Sequence, residues 1–400
     1  MIKWPMKPLG EVCEINPRLP RNHDISDERE VSFVPMASVD EVSGLIADRQ
    51  ARRFADVRKG YTHFKDSDVL FAKITPCMEN GKAAIARDLA GGIGFGSTEF
   101  HGFRSRGDVL PEWVFYFVRR QRFRADAKRN FTGTAGQQRV PTSFVEAAQI
   151  PVPSLADQRH IVDILSRAEG IVRLRREARK KAAEIIPALF LDMFGDPATN
   201  QKRWEKLRLD EVSEISYGIA DKLDTSITAE KGTRILTISN VLLEGAIDQT
   251  VFRFCKATEA QVRKCSVQRG DLLFNWRNGS DTHIGKTAIW ESDDHVLHVS
   301  FLLRLRPNMK RLNSYFIWAM LNLMRARDFF LGASRQQINR KFNASELSAL
   351  VLPIPPKELQ DRCCQQIEQV RSVQNQQISA TQKAEATFDV MIGQAFQGRL

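Results

Sequence analysis

No apolar run in these 400 residues reaches the length of about 20 that a membrane-spanning helix needs. The opening stretch MIKWPMKPLG has no apolar core of the kind a secretory signal carries. Neither a membrane partner nor export is expected, and the chain reads as cytoplasmic. Cysteine is scarce: Cys13, Cys77, Cys255, Cys265, Cys363 and Cys364 form no CxxC pair and no zinc-ribbon spacing. That excludes a disulfide scaffold and fits reduced, packed thiols. Absent too are a G-x-x-x-x-G-K-[ST] phosphate loop and an Asn/Asp-Pro-Pro-aromatic tetrapeptide, since PIPPKE has Lys after its prolines. Acidic residues are the minority charge, 48 Asp+Glu against 59 Lys+Arg, leaving a net charge of +11. Such an excess favours a polyanionic partner, of which nucleic acid is the commonest.

What the sequence does contain is itself, twice. WPMKPLGEVCEI (from Trp4) aligns with WEKLRLDEVSEI (from Trp204), matching Trp4/Trp204, Leu9/Leu209, Glu11/Glu211, Val12/Val212, Glu14/Glu214 and Ile15/Ile215. DVLFAK (from Asp68) then matches DLLFNW (from Asp271), and GKAAI (from Gly81) matches GKTAI (from Gly285). FTGTAGQQRV (from Phe131) matches FLGASRQQIN (from Phe330), and IPVPSLADQ (from Ile150) matches LPIPPKELQ (from Leu352). The order never breaks and the offset stays between 199 and 204, which marks a duplicated unit.

Each copy opens with short apolar runs such as VSFVPMASV, DVLFAKI, RILTISNV and VSFLLRLR, separated by Gly, Asn, Asp and Pro. A helix is expected over Pro111–Arg129 in the first copy and over Asn313–Phe330 in the second. Each copy then ends in a long helix. From Asp157 to Phe194 apolar residues recur at Ile161, Leu165, Ala168, Val172, Ala182, Ile186, Leu189 and Met193. The C-terminal stretch repeats this as Ile367, Val370, Val373, Ala380, Ala384, Phe388, Met391 and Ala395. Pro187 predicts a kink near the end of the first helix. The two similar stripes predict that the helices pack on each other, about 37 residues making a rod of roughly 55 Å. Antiparallel pairing would relate the copies by a pseudo-two-fold axis. The basic run Arg173–Lys181 reads as the wet face of the first helix, with DNA backbone or an acidic partner as alternatives.

Catalytic constellations are sparse. GGIGFG (Gly91–Gly96) lacks a following helix and a downstream acidic residue, so a mobile turn is expected there. His283, His295 and His298 lie near Asp281, Asp293 and Asp294, but the first copy has no counterpart, so no metal site is expected. Asp68 and Lys82, and Asp271 and Lys286, echo a nuclease, yet the aspartates more simply shape the turns before their strands.

The pieces DVLFAKITPCMENGKAAI, GQQRVP, IPVPSLADQRHIVDIL and AFQGRL, set in two variable-plus-helical halves, resemble the DNA specificity subunit of type I restriction–modification systems. The second loop, NWRNGSDTHIGK, departs from the pattern by lacking Thr-Pro-Cys. The resemblance implies an α+β fold: two similar mixed α/β target-recognition domains separated by a pair of long antiparallel coiled-coil helices, with pseudo-two-fold internal repetition. Residues 1–150 would be the first domain, 151–197 the central spacer helix, 198–354 the second domain and 355–400 the C-terminal spacer helix. Helix pairing would use Ile161, Leu165, Val172, Ile186, Leu189, Ile367, Val370, Phe388 and Met391. The implied partners are double-stranded DNA, two modification subunits and restriction subunits. S-adenosylmethionine, ATP and Mg²⁺ would be used by those subunits, with no cofactor and no catalytic residue in this chain.

Residues at base edges carry sequence information while the frame positions them, so a duplicated frame with different loops would read two half-sites. Expected DNA contacts in the first domain are Lys73, Asn80, Lys82, Gln137, Gln138 and Arg139. In the second they are Trp276, Arg277, Asn278, Lys286, Arg335, Gln336, Gln337, Arg340 and Lys341. The alternatives are a self-sufficient methyltransferase or nuclease with an unrecognised site, and a structural adaptor.

Overall fold

A computed structural model describes residues 4–134, 136–220, 226–277, 283–331 and 341–400. Asn278, Arg335, Gln336, Gln337 and Arg340 lie outside the described residues. The chain divides into two units, Met1–Glu177 with Ser379–Leu400, and Ala178–Ile378. The helices that carry the packing are α1 (Pro111–Arg119), α2 (Gln121–Arg129), α3 (Leu155–Ala183), α4 (Ile185–Phe194), α5 (Ser314–Ala326) and α6 (Lys357–Ala395).

In the first unit one four-stranded antiparallel sheet has the order Cys13–Ile15, Phe100–Ser105, Val69–Ala72, Ala83–Ile85. A second runs Gln50–Arg53, Glu30–Val34, Ile93–Gly96, Thr62–Lys65, its middle pair parallel. Met6–Pro8 and Gln149–Pro151 close a small ribbon. The second unit repeats this strand for strand. One sheet is Ser213–Tyr217, Leu302–Pro307, Leu272–Asn275, Thr287–Ile289, and the other Arg253–Cys255, Thr233–Leu236, Val296–His298, Ser266–Val267. Again the middle pair of the second sheet is parallel, and Glu205–Arg208 pairs with Val351–Ile354. The runs VLFA and LLFN are buried at every position, as a strand covered on both faces must be.

GGIGFG is a turn only at its start, where Gly91 and Gly92 take positive φ in the short helical turn Ala90–Gly92. Its last four residues form the strand Ile93–Gly96, and a Cβ on Gly94 or Gly96 would sit 2.3 Å from the Phe64 ring or 2.5 Å from the Val34 carbonyl oxygen. The glycines serve close packing. The helix expected over Pro111–Arg129 is two, because the backbone leaves the helix at Arg120 (φ −57°, ψ 136°). There the Arg120 guanidinium lies 4.0 Å from the Phe117 ring centre and 4.7 Å from that of Phe396. The helix over Asn313–Phe330 ends earlier, at Ala326, and is capped by the Asn313 side chain, which accepts from the Tyr315 amide.

The helical run starting at Leu155 breaks at Glu184, because Pro187 has no N–H for the carbonyl one turn back. α6 runs unbroken through 39 residues, about 58 Å of helix. In the first unit Ile161, Leu165 and Val172 of α3 share a core with Phe388, Ile392 and Ala395 of α6, with Met391 partly buried beside them. In the second unit Ile186, Phe190 and Phe194 of α4 share a core with Cys363, Cys364 and Ile367, with Leu189 and Val370 partly buried at its margin. Each unit thus joins the early part of one helix to the late part of the other, which makes the pair antiparallel. The helices do not pack on each other alone. Tyr116 and Trp113 of α1 meet Phe388 and Phe396, and Phe316 of α5 meets Phe190 and Phe194. Val373, counted in the apolar stripe, is 52% exposed. All six cysteines are free thiols.

Two glutamines lock the helix starts. Gln158 accepts from the Leu110 amide and donates to the Pro153 and Asp108 carbonyls. Gln360 does the same with the Asn313 amide and the Pro355 and Arg311 carbonyls. Both are fully buried.

Candidate nucleic-acid interface

In the first unit the loop after Val69–Ala72 and the loop 131–140 are knitted into one rim. The Lys73 amide donates to the Glu99 carbonyl at 2.9 Å, the Val140 amide to the Lys73 carbonyl at 2.9 Å, and the Thr75 amide to the Gln138 carbonyl at 3.0 Å. His101 stands beneath, 2% exposed, with Nε2 2.9 Å from the Val140 carbonyl and Nδ1 3.2 Å from Asn16 Nδ2. A carbonyl only accepts, so Nε2 carries the proton and Nδ1 accepts from Asn16. Burial pushes His101 down to about 4, which keeps the ring neutral.

On the rim Arg139 grips Glu99 through Nε at 2.9 Å and Nη2 at 2.9 Å, and Nη1 donates to the Gln137 carbonyl at 2.8 Å. Hydrogen bonds from Arg139, opposed by partial burial and aided by the charges of Arg139 and Lys73, hold the Glu99 carboxyl below the usual range. The Lys73 ammonium has no hydrogen-bond or ion-pair partner among the described residues. Gln137 is exposed and Gln138 half-buried. The structure therefore brings Lys73, Gln137, Gln138 and Arg139 together, along with Glu99, which the sequence reading missed.

The other two residues of the loop go elsewhere. Asn80 donates to Glu41 at 3.2 Å, beside a cleft of about 560 Å³ that Arg119, Arg124 and Arg173 also line. Lys82 is a correction: its ammonium turns inward to the Met36 carbonyl at 3.2 Å. Lys286 is its twin and the same correction, 4% exposed with Nζ 2.9 Å from the Ile238 carbonyl. Burial, with the Arg325 charge adding, lowers the Lys286 pKa. Each lysine holds a short helical turn, Met36–Ser38 or Ile238–Asn240, against its sheet. Lys286 is thereby buried framework, and the half-buried Lys82 spends its ammonium on a carbonyl in the same way rather than holding it out to phosphate.

In the second unit Trp276 takes the place of Lys73. Its indole donates to the Ser300 carbonyl at 2.7 Å and stands edge-on to Tyr217 at 5.5 Å, and its own carbonyl accepts from the Phe342 amide. Arg277 and Lys341, both exposed, are bridged as Ile74 and Arg139 are in the first unit. Phe301 precedes Leu302, the partner of Asn275, as Glu99 precedes Phe100, the partner of Ala72. It is 43% exposed. Comparing the two copies residue by residue at these strand starts was the signal that would have found Glu99 and Phe301.

The aspartates of the nuclease echo are occupied. Asp68 accepts from Arg104 at 2.9 and 2.7 Å and from the Lys65 amide, and Asp271 from Arg306 at 2.8 and 2.7 Å and from the Gln268 amide. Both shape the turn before their strand, and both are 2% exposed. The histidine–aspartate group disperses. His298 is buried on the Cys265 carbonyl, while Asp293 and Asp294 pair with Arg269 and Arg234. Asp281 lies outside the described residues, among which no group of three His, Cys, Asp or Glu is placed to hold a metal. In the basic run, Arg176 pairs with Glu385 and Arg179 with Glu244, while Arg173, Arg175, Lys180 and Lys181 are exposed, which is a solvated helix face. No helix among the described residues is long and apolar enough to cross a membrane.

The family model for the type I restriction modification DNA specificity domain matches residues 1–184 and, a second time, residues 201–386. The chain belongs to that family. It is 38% identical over 165 residues to the type I restriction enzyme EcoEI specificity subunit of Escherichia coli, over 41% of this chain and 27% of that one. To the EcoAI specificity subunit of the same organism it is 32% identical over 229 residues, 57% of this chain and 37% of that one. The matched stretches thus span about a quarter to two fifths of those relatives' length. A solved structure described as the structural basis of complex assembly and conformational transition of the type I R-M system covers 100% of this chain and 99% of its own, with a TM-score of 0.58 and 21% identity. At that identity the likeness is one of fold. Two copies of a DNA specificity domain match the two strand-for-strand units.

Burial acts the same way on three histidines of this specificity-domain chain. His63, His101 and His298 are each pushed to about 4 from 6.5. Unfolding lets these rings take up protons near pH 6.5, so stability is full above that pH and falls as pH drops toward 4. At pH 5 the loss is up to about 2 kcal/mol each for His101 and His298. Melting curves at pH 7 and pH 5 should show the drop, and His298→Gln should shrink it.

Proposed function

We propose that this chain is a non-catalytic DNA specificity subunit whose two units each read one half of a bipartite, asymmetric site. The observation that carries this is the rim built twice on one frame and filled differently: Lys73, Arg139 and Glu99 in one unit, Trp276, Lys341 and Phe301 in the other. Framework residues such as Asp68/Asp271 and Lys82/Lys286 are kept, while the exposed residues change, which is the pattern that direct readout requires. The net charge of +11 supports approach to a polyanion. The long antiparallel helices would set the spacing of the half-sites and dock two modification subunits. Restriction subunits would complete the complex. S-adenosylmethionine, ATP and Mg²⁺ would serve those partners, with none bound by this chain, which would work in the cytoplasm.

Replacing residues 1–150 with the corresponding domain of another family member should change one half-site of the recognised sequence and leave the other. Both halves changing together would end the two-reader account. Lys73→Ala should weaken binding of every duplex about equally and reduce the slope of log affinity against log salt by about 0.9. An unchanged slope would remove Lys73 from the interface. Methyl transfer or cleavage by the purified chain alone, given S-adenosylmethionine and Mg²⁺, would favour an enzyme instead.

A further inference from the structure

The most constrained exposed group on the first unit's rim is the Arg139 guanidinium. Its Nε and one Nη2 hydrogen go to the two oxygens of Glu99, and one Nη1 hydrogen goes to the Gln137 carbonyl. A guanidinium has five N–H donors, so one on each terminal nitrogen is left over. The side chain is 38% exposed, so the guanidinium is not sealed into the core. Glu99 is itself fixed. Its carbonyl accepts from the Lys73 amide, and it leads directly into the strand Phe100–Ser105 at the centre of the sheet. The arginine is therefore held in one plane by groups rooted in the core, and the entropy of orienting it is already spent before any ligand arrives.

We infer, on the DNA-reading function proposed above, that Arg139 is a specificity-determining residue for a guanine and that Glu99 is its positioning residue. The two leftover donors, one on each terminal nitrogen of a planar group, suit the O6 and N7 acceptors that guanine presents in the major groove. Phosphate also accepts such a fork, but a phosphate contact needs no carboxylate beside it, and Glu99 would repel one. The corresponding places in the second unit hold Lys341, bridged to Arg277, and the exposed Phe301. Among the described residues of that rim no buttressed fork exists. The inferred guanine requirement is assigned to the half-site of the first unit, where the Arg139–Glu99 fork stands.

The test is selection from a duplex library by the full chain, comparing the parent with Arg139→Lys and Glu99→Gln. Both substitutions lie on the rim, and Arg139→Lys keeps the charge while removing the fork. The parent should enrich a two-part motif in which one guanine disappears from the Arg139→Lys selection. Discrimination at that position should fall by ~10-fold or more, the other positions being kept. Glu99→Gln should blur the same position while overall affinity for unrelated duplexes holds or rises, an effect that a merely structural role would not give. Arg139→Lys selecting the same guanine, or weakening all duplexes equally, would overturn the inference and leave DNA reading intact. A parent chain that enriches no motif would overturn DNA reading and this inference together.

Discussion

Asp271→Ala is expected to cost the second unit about 3–5 kcal/mol, the loss that follows when one partner of a buried ion pair is removed. The carboxylate is 2% exposed and accepts two hydrogen bonds from Arg306 and one from the Gln268 amide. Truncation leaves the guanidinium, itself only 29% exposed, facing the hole. It also leaves the Gln268 turn amide without its acceptor. In a unit of about 200 residues this corresponds to a fall in melting temperature of roughly 10 °C. Asp68→Ala should do the same to the first unit through Arg104. Were these aspartates metal ligands of a nuclease, their removal would instead relieve repulsion and leave the fold intact or firmer. Melting and urea curves of both variants decide it: a transition within a degree of the parent would show that the carboxylates are not structural.

The duplication was legible because every copy of a framework residue keeps its distance from the next along the chain. The structure repeats the strand order of both sheets and the parallel middle pair, and the matched Asp-x-Leu-Phe segments are the buried central strands. What resisted reading was contact made far along the chain. Lys82 and Lys286 look like loop donors because nothing near them in sequence shows where their ammonium groups turn. Their acceptors, Met36 and Ile238, lie 46 and 48 residues earlier. Gln158 and Gln360 sit inside the matched ADQ and ELQ segments, but nothing local marks them as buried, since their partners include the start of a different helix. Arg120 fits helical periodicity on both sides, yet the backbone turns there, where its guanidinium lies over Phe117 and Phe396, the latter 276 residues away. Glycine density suggested a mobile turn at Gly91–Gly96, whereas the tight approach of Phe64 and Val34 uses that density to pack a strand. Periodicity sees faces of elements. It does not see which distant group each face will meet.

Phe396→Ala carries the other large expectation, and its effect should appear at the opposite end of the chain from the substitution. Phe396 lies just past the end of α6 and is 7% exposed. Its ring packs 4.2 Å from that of Trp113 and 5.7 Å from that of Phe117, under the Arg120 guanidinium. These partners belong to α1 and the residue after it, so the segment just past α6 walls the core of the first unit. Phe194, 202 positions earlier, performs the same task for the second unit against Phe316 at 4.9 Å. Losing a buried phenylalanine costs about 3–5 kcal/mol, because the cavity is lined by rings that cannot collapse into it. Arg120 adds to the cost, since its desolvated charge would lose one of the two rings it lies over. Hydrogen exchange should therefore accelerate across residues 113–123 and stay at the parent rate across 312–324, with Phe194→Ala giving the reverse. If Phe396→Ala instead loosened 312–324, or neither segment, the pairing of each helix end with its own unit would be wrong. In DNA selections the same logic has Phe396→Ala degrading only the half-site that answers to residues 1–150, since the rim of Lys73 and Arg139 is carried by the sheet against which α1 packs.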